Sequence, residues 1–217
     1  MSCKDEQNRL PLPHPSGVSR ACKTVLLFES ALAMVLLTLS CGDSSLINSC
    51  NCIPSEPAST DYRHAEKHIS LPSITPQEIT VDTMLGWPQN TDLPSNQPRT
   101  GRELQLFHIA QAYLQRAGVM ANDCDIHFEI SHTADKVAPR VIVETPVDSE
   151  YCPARQNIQA QLEHHGFRLD ATHGGELSKP LLMDVLGMAF EDFEHHRGTA
   201  QVATVWELHP AVVSLAQ

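Results

Sequence analysis

The fold is decided by the stretch Ala203-Thr204-Val205-Trp206-Glu207-Leu208-His209-Pro210, near the C-terminus of the chain. Successive side chains of a β-strand point to opposite faces, so Glu207 and His209 lie on one face. The apolar Trp206 and Leu208 lie on the other face. Pro210 has no N–H group to donate and is expected to end the pairing of this strand. The pattern predicts a half-buried strand with a carboxylate and an imidazole on its exposed face.

An earlier stretch, Asp125-Ile126-His127-Phe128-Glu129-Ile130, repeats this design and places Asp125 and His127 on one polar face. If the two strands are neighbours, their polar groups converge. Imidazole with carboxylate is a ligand set for zinc or another divalent ion, and an open coordination position would activate water. Without metal, the same groups would supply a general base oriented by a carboxylate. The exposed face of a half-buried strand is also polar when it carries no site.

Length and charge limit the classes of protein and partner. A chain of 217 residues with 41% apolar residues has enough apolar content for one domain with extra segments. Its 26 acidic and 15 basic residues give a formal charge of −11, which disfavours nucleic acid as a partner. A small-molecule or protein ligand, or a cation, fits this charge better.

The N-terminal segment has the outline of an export signal. Arg20 and Lys23 precede an apolar run over residues 24–37, which Glu29 interrupts and which is too short for a good membrane span. The following Leu39-Ser40-Cys41-Gly42 resembles a bacterial lipoprotein cleavage site with Cys41 as the lipid-bearing residue. We therefore expect an exported protein, either an envelope lipoprotein or a secreted one, that meets a membrane only through this segment or its lipid.

Composition divides the chain into three parts. Residues 1–41 form the signal-like or lipoprotein-like segment, and residues 42–99 are rich in Pro, Ser, Thr and Asn. The second segment predicts a largely disordered tether, because it has too little apolar surface to offset the entropy of ordering. The folded domain is expected over residues 100–217.

The order of elements within that domain depends on one ambiguous stretch, Leu104 to Leu114, which fits a helix or a strand. Strands are predicted at 125–130, 140–145, 186–193 and 201–209, and a helix begins at Pro153 and ends at Gly166. If the ambiguous stretch is a strand, the fold is mainly β, a five-stranded OB-like barrel with one helix between strands 3 and 4. If it is a helix, the alternative is an α+β mixed sheet.

Cysteine positions predict a disulfide between Cys124 and Cys152, which lie near the ends of two predicted strands. Cys50 and Cys52 are too close together for an easy bond with each other. A metal site at this Cys-x-Cys pair is disfavoured, because no second pair of Cys or His at a ligand spacing is recognised nearby.

A polar loop between the last two strands contains His195, His196 and Arg197. Consecutive histidines face different directions, so at most one of them easily joins a site. The loop is either solvated or covers the barrel face, in which case Arg197 would hold an anionic group.

Residues 102–213 resemble a family of secreted bacterial proteins of uncharacterised activity with an OB-like barrel. The resemblance is carried by Asp125-Ile126-His127, by Val141-Ile142-Val143-Glu144, and by the Trp-Glu-x-His-Pro pattern of Trp206 to Pro210. It implies that Leu104 to Leu114 is a strand, which favours the barrel. With Glu144, the candidate ligand or metal residues are Asp125, His127, Glu144, Glu207 and His209.

We expect a binding module of unknown ligand with a face lined by His and carboxylate groups, because no complete catalytic constellation is recognised. The alternative is a metal-assisted hydrolase, since the order of elements also resembles staphylococcal-type nucleases. The paired arginines of those nucleases have no convincing match in this chain, although Arg140, Arg155 and Arg197 are present. Whether the protein is an enzyme, and which residues would be catalytic, stays open at this point.

Overall fold

Alternating apolar and polar side chains dominate the chain after residue 105, and they form strands that close into a barrel. The computed structural model describes residues 49–90, 93–193 and 201–216, which belong to a unit spanning Asp43–Gln217. Cys41 and the loop candidates His195, His196 and Arg197 lie outside the described residues. Within the described ranges, none of the helices has the length and apolar character needed to cross a membrane.

The strands are β1 (Gln77–Glu78), β2 (Leu106–Val119), β3 (Ile126–Ser131), β4 (Arg140–Thr145), β5 (Gly175–Glu191) and β6 (Val202–Leu215). The α-helices are α1 (His64–Lys67), α2 (Val81–Leu85) and α3 (Cys152–His164). Short 3₁₀ turns lie at Ser49–Asn51, Ala58–Thr60, Gly101–Leu104 and Ser149–Tyr151.

Five of the strands close the barrel in the order β2-β3-β4-β6-β5, and pairing of β5 with β2 completes the ring. β4 and β6 run parallel, whereas the other barrel pairs are antiparallel. Helix α3 connects the third and fourth barrel strands, and β1 adds a short parallel strand to β2. The OB-like barrel predicted from the sequence is confirmed, and the mixed-sheet alternative is wrong.

The barrel interior is built by the apolar faces that the sequence pattern marks. Ile126 and Phe128 of β3, Val143 of β4 and Leu208 of β6 belong to one buried core and have no exposed surface. Trp206 joins the same core. The polar residues between these positions therefore point to the outer surface of the barrel.

Helix α3 has the predicted start and stop signals. Pro153 lies in its first turn, where the missing N–H group is not needed. Ile158 and Leu162, one turn apart, pack into the core. Gly166 follows the helix with a φ of 75°, which glycine adopts without the strain of a side chain.

Strand β6 continues past Pro210 to Leu215, so the prediction that Pro210 ends the pairing is wrong. The ladder with β5 shifts its register at this point: Leu208 pairs with Ala189, whereas Ala211 pairs with Gly187. The irregularity places Pro210 between the two paired stretches, where a residue without an N–H group is tolerated.

Gly187→Ala is expected to lower the free energy of unfolding by about 1 to 3 kcal/mol through overpacking. A methyl group on Gly187 would lie 2.7 Å from the Cβ of Ala211 and 3.0 Å from the carbonyl oxygen of Pro210. Gly118→Ala is the matched control, because a methyl group there meets nothing within 4 Å. Urea denaturation of both variants measures the difference. Equal stabilities would contradict the close approach of β5 to β6.

Strand β5 begins at Gly175, eleven residues before the predicted strand start at Leu186. Its first half is mostly exposed or half-buried and contains Pro180, so it lacks the apolar alternation by which the sequence marks a strand. Pairing with β2 defines it instead, for example between Leu181 and Leu114.

The described residues between 49 and 103, called the N-terminal arm below, pack against the barrel. The prediction that residues 42–99 form a largely disordered tether is therefore wrong for the described part. Val81 and Met84 of the arm are buried in the core, and the indole Nε1 of Trp206 donates to the carbonyl oxygen of Pro88 at 2.7 Å. A few well-placed apolar side chains thus order a segment whose average composition is polar.

The arm is also tied to the barrel by two disulfides, Cys50–Cys152 and Cys52–Cys124, with Cα separations of 5.3 and 5.7 Å. The predicted bond between Cys124 and Cys152 is wrong. Each of those cysteines pairs with an arm cysteine, because the arm lies across the start of β3 and the start of α3. Two disulfides are compatible with an exported protein.

Candidate functional site

Three barrel strands bring the predicted carboxylates and imidazoles together. Asp125 immediately precedes β3, and the register pairs His127 with Glu144 of β4. β4 in turn pairs with β6 through Ile142 and Glu207. Because the alternate residues fill the barrel core, the polar groups converge on its outer face. The predicted set of Asp125, His127, Glu144, Glu207 and His209 forms one cluster.

His209 lies at the centre of this cluster. Its Nε2 atom is 3.2 Å from Oδ2 of Asp125. Its Nδ1 atom is 3.0 Å from Oε2 of Glu144 and 3.3 Å from Oε1 of Glu207. The His209 side chain has 0% exposed surface, so the sequence prediction of a solvent-exposed polar face is wrong at this position.

In Asp125 and Glu144, one carboxylate oxygen is fixed by a neighbouring group. Oδ1 of Asp125 accepts the backbone N–H of Val147 at 2.8 Å, and Oε1 of Glu144 lies 2.8 Å from Nδ1 of His127. The other oxygen of each carboxylate is turned toward His209. Contacts of this kind orient metal ligands in proteins and raise their affinity.

The close approaches around His209 are charge contacts without aligned hydrogen bonds. Nδ1 and Nε2 of His209 and Oδ2 of Asp125 are buried and have no hydrogen-bond partner. One ligand atom from each of Asp125, Glu144 and His209 lies within 4.8 Å of the others. Such spacing permits a single ion to bind all three at about 2.0 to 2.2 Å.

The pKa values show the direction in which these groups influence one another. Burial alone would lower the pKa of His209, but the surrounding carboxylates raise it well above the ordinary 6.5. Burial likewise opposes charge on His127, yet contacts with Glu129 and Glu144 raise its pKa to about 9. Burial would raise the pKa of Glu144, whereas the two imidazoles hold it well below 4.5. The cluster is therefore a place where positive charge is favoured.

Lys67 of the arm brings a further cation close to the cluster. Its Nζ atom lies 3.6 Å from Oδ1 of Asp61 and 4.0 Å from Oδ2 of Asp192. Although burial would lower the pKa of Lys67, the field of Glu207, Asp192 and other carboxylates raises it above its ordinary value. The ammonium group stays charged and offsets part of the surrounding acidity.

A cleft of about 950 Å³ separates the arm from this face of the barrel. Its lining includes His127, Glu144 and Glu207 from the barrel and Asp61, His64, Lys67 and His68 from the arm. Asp125 and His209 are buried and do not line the cleft. A ligand in the cleft would therefore meet Glu144 and Glu207 first.

Two buried arginines dock the arm beside the cleft. The guanidinium of Arg63 pairs with Glu103 at 2.7 Å and donates to the carbonyl oxygen of Glu191 at 3.0 Å. Arg99 donates to the carbonyl oxygen of Ala189 at 2.6 Å and to that of His209. These bonds to backbone atoms of β5 and β6 hold the arm on the site without depending on apolar burial.

The arginines considered for phosphate binding have other roles in the described structure. Arg140 is buried and pairs with Glu129 at 2.9 Å and with Glu176. Arg155 is fully buried and donates to the carbonyl oxygens of Thr145 and Cys124, each at 2.7 Å. Neither guanidinium lines the cleft.

Three residues of the arm were missed as candidates by the sequence reasoning: Asp61, His64 and His68. One ligand atom of each lies within 4.8 Å of the others. The signal was present as His64-x-x-x-His68, a spacing found in zinc ligands. It was overlooked because the segment was assigned to a disordered tether, and the statement that no such pair lies near Cys50 and Cys52 was wrong.

Comparison of the chain with protein-family models, curated proteins and solved structures gives no match. The described residues provide carboxylate and imidazole groups in two clusters, one lining the cleft and one reaching it through Glu144. Groups of these two types bind divalent cations or transfer protons.

Proposed function

We propose that this protein is an exported binding module whose OB-like barrel holds a divalent cation at Asp125, Glu144 and His209. The proposal is carried by the buried His209 ring, whose nitrogens face carboxylate oxygens without an aligned hydrogen bond. Glu207, 3.3 Å from the same ring, lies beside the site. A bound ion would accept lone pairs from the imidazole and from both carboxylates at once.

Charge balance is compatible with a dication at this site. Asp125, Glu144 and Glu207 surround His209 and are all buried. A neutral imidazole with a dication and the nearby Lys67 ammonium balances these carboxylates. Buried charge without compensation is strongly unfavourable, so these carboxylates require either the imidazolium form of His209 or a metal cation in its place.

The donor set indicates the class of metal. One imidazole with two or three carboxylates suits zinc and neighbouring first-row dications. Calcium prefers oxygen ligands alone, and it is the less favoured ion for a site with His209 at its centre. The cofactor that we propose is therefore zinc-like.

Asp125→Asn is expected to weaken zinc binding at the barrel site by at least about 10-fold to 100-fold. Mutation of a group that only orients a metal ligand lowers metal affinity by about 10-fold to 100-fold. Loss of the ligand itself is expected to lower the affinity at least as much. The amide oxygen of asparagine still accepts the N–H of Val147, so the local fold is retained. Isothermal titration of chelator-treated, full-length protein with zinc measures the effect.

Glu78→Gln is the matched control for this titration. Glu78 pairs with His108 at 2.8 Å on the surface, so it belongs to an imidazole–carboxylate pair away from the cleft. Its substitution should leave zinc affinity unchanged. Equal affinities for Asp125→Asn and wild type, with both proteins folded by circular dichroism, would overturn the proposed barrel site.

A metal-assisted hydrolase is the second candidate, favoured by the volume of the cleft and by His127 on its wall. His127, held by Glu144, would act as a general acid beside a bound ion. Hydrolysis of a chromogenic phosphodiester by the zinc-loaded protein, abolished in Asp125→Asn, would support this activity. Zinc binding without turnover would support the binding module.

We also propose that the chain is secreted or anchored to a bacterial envelope by lipid on Cys41. The two disulfides and the apolar run before Cys41 support export. As part of this proposal, the Trp206 to Pro210 motif suggests that the chain is related to secreted bacterial proteins. Incorporation of labelled palmitate that is lost in Cys41→Ser would separate an anchored protein from a secreted one.

A further inference from the structure

The cleft has a second cluster of metal-ligand groups on its arm wall, opposite the barrel site. Asp61, His64 and His68 each offer one ligand atom, and these atoms lie within 4.8 Å of one another. Oδ2 of Asp61 is 3.1 Å from Nδ1 of His64. The two imidazoles have ring centroids 3.9 Å apart. All three residues line the cleft.

His68 is oriented in the way that protein metal ligands are. Its Nδ1 atom lies 2.6 Å from Oδ2 of Asp148, so an N–H group at this position is donated to the carboxylate. That bond selects the tautomer in which Nε2 carries a lone pair. Nε2 is buried and has no hydrogen-bond partner, and only 9% of the side chain is exposed. A buried lone pair without a partner is unfavourable unless a proton or a cation meets it.

We propose that Asp61, His64 and His68 form a second divalent-cation site, so that the arm and the barrel each bind one ion. This site takes zinc or a similar first-row metal, because imidazole nitrogens predominate among its ligands. Three protein ligands leave a coordination position for water or a ligand from the cleft.

The neighbouring Lys67 does not take the place of such an ion. Its Nζ atom approaches Oδ1 of Asp61 at 3.6 Å, whereas Oδ2 of the same carboxylate faces His64. The ammonium group of Lys67 is directed at two carboxylates, those of Asp61 and Asp192. Asp61 can therefore keep Lys67 on one oxygen and bind an ion through the other.

The second site lies next to the first. The ring centroid of His68 is 6.1 Å from that of His209. The two sites share no ligand residue, so variants of one can be tested separately from variants of the other.

Cobalt(II), whose visible spectrum reports nitrogen and oxygen ligands, is the probe for the test. Chelator-treated, full-length protein with intact disulfides is titrated with cobalt, and bound metal is counted after desalting. We expect about two ions for wild type and one for His64→Ala, since two sites are proposed. The His64 side chain is 34% exposed, so its removal is compatible with folding. His68→Gln should give the same loss.

His132→Ala is the control, because His132 is 57% exposed and lies 3.7 Å from Asp82 outside the cleft. It should bind as much cobalt as wild type. If folded His64→Ala and His68→Gln both keep the full stoichiometry and spectrum, the arm site is overturned. If they lose one ion while Asp125→Asn loses none, the arm site stands and the proposed barrel site fails.

Discussion

Replacing Cys50, Cys52, Cys124 and Cys152 by serine is expected to lower the free energy of unfolding by about 8 kcal/mol, an amount comparable with the whole stability of many domains. The two bonds join residues 102 and 72 positions apart. When the Cys52–Cys124 bond is intact, the Cys50–Cys152 bond closes one further loop. That loop contains about 30 residues, which is the difference between the separations of 102 and 72. Chain-entropy estimates then give about 4 kcal/mol for each bond.

Single-bond variants separate the two contributions. Cys50→Ser with Cys152→Ser, and Cys52→Ser with Cys124→Ser, should each lose about 4 kcal/mol, whereas the fourfold variant should be largely unfolded. Urea denaturation under non-reducing conditions measures these losses. A peptide map of the wild-type protein that contains a Cys124–Cys152 bond would contradict the assignment, as would a fourfold variant of wild-type stability.

The barrel was predictable from sequence because its central strands carry their signals locally. Alternation over 125–130 and 203–208 separates core residues from outward-facing ones, and the core includes Phe128 and Leu208 as expected. Pro153 and Gly166 mark the limits of the helix in the same local way. These features depend on backbone geometry and on residues near each other in the chain.

Features that depend on distant contacts were not predictable in the same way. The first half of β5 has no apolar alternation and is defined by its pairing with β2. The disulfide partners of Cys124 and Cys152 depend on where the arm lies, and no periodic pattern encodes that position. Arg99 docks the arm through carbonyl oxygens far away in sequence, which composition alone does not reveal.

The candidate site was predictable as a set of residues but not in its environment. The two-residue spacing of Glu207 and His209 places them on one face, and neighbouring strands bring them to Asp125 and Glu144. Burial of that face results from the arm, which composition had assigned to a disordered tether. Removal of His209 is therefore expected to have a large effect, unlike removal of an exposed histidine.

His209→Ala is expected to destabilise the metal-free protein by about 3 to 5 kcal/mol, the range for removing one partner of a buried ion pair. In the presence of a chelator, the His209 imidazolium is the cation in direct contact with Asp125, Glu144 and Glu207. Its removal leaves these buried carboxylates close together without that charge. An exposed histidine would contribute less than about 0.5 kcal/mol.

His108→Ala is the matched control, since His108 pairs with Glu78 and its side chain is 31% exposed. Denaturant unfolding with chelator present should show a loss under about 0.5 kcal/mol for this variant. Adding Glu144→Gln to His209→Ala should recover part of the lost stability, because it removes one of the repelling carboxylates. If the double variant is more stable than His209→Ala, repulsion between the carboxylates causes the loss. If the loss comes only from the cavity, the double variant is no more stable than His209→Ala. A loss for His209→Ala as small as that for His108→Ala would show that its contacts with the three carboxylates do not stabilise the fold.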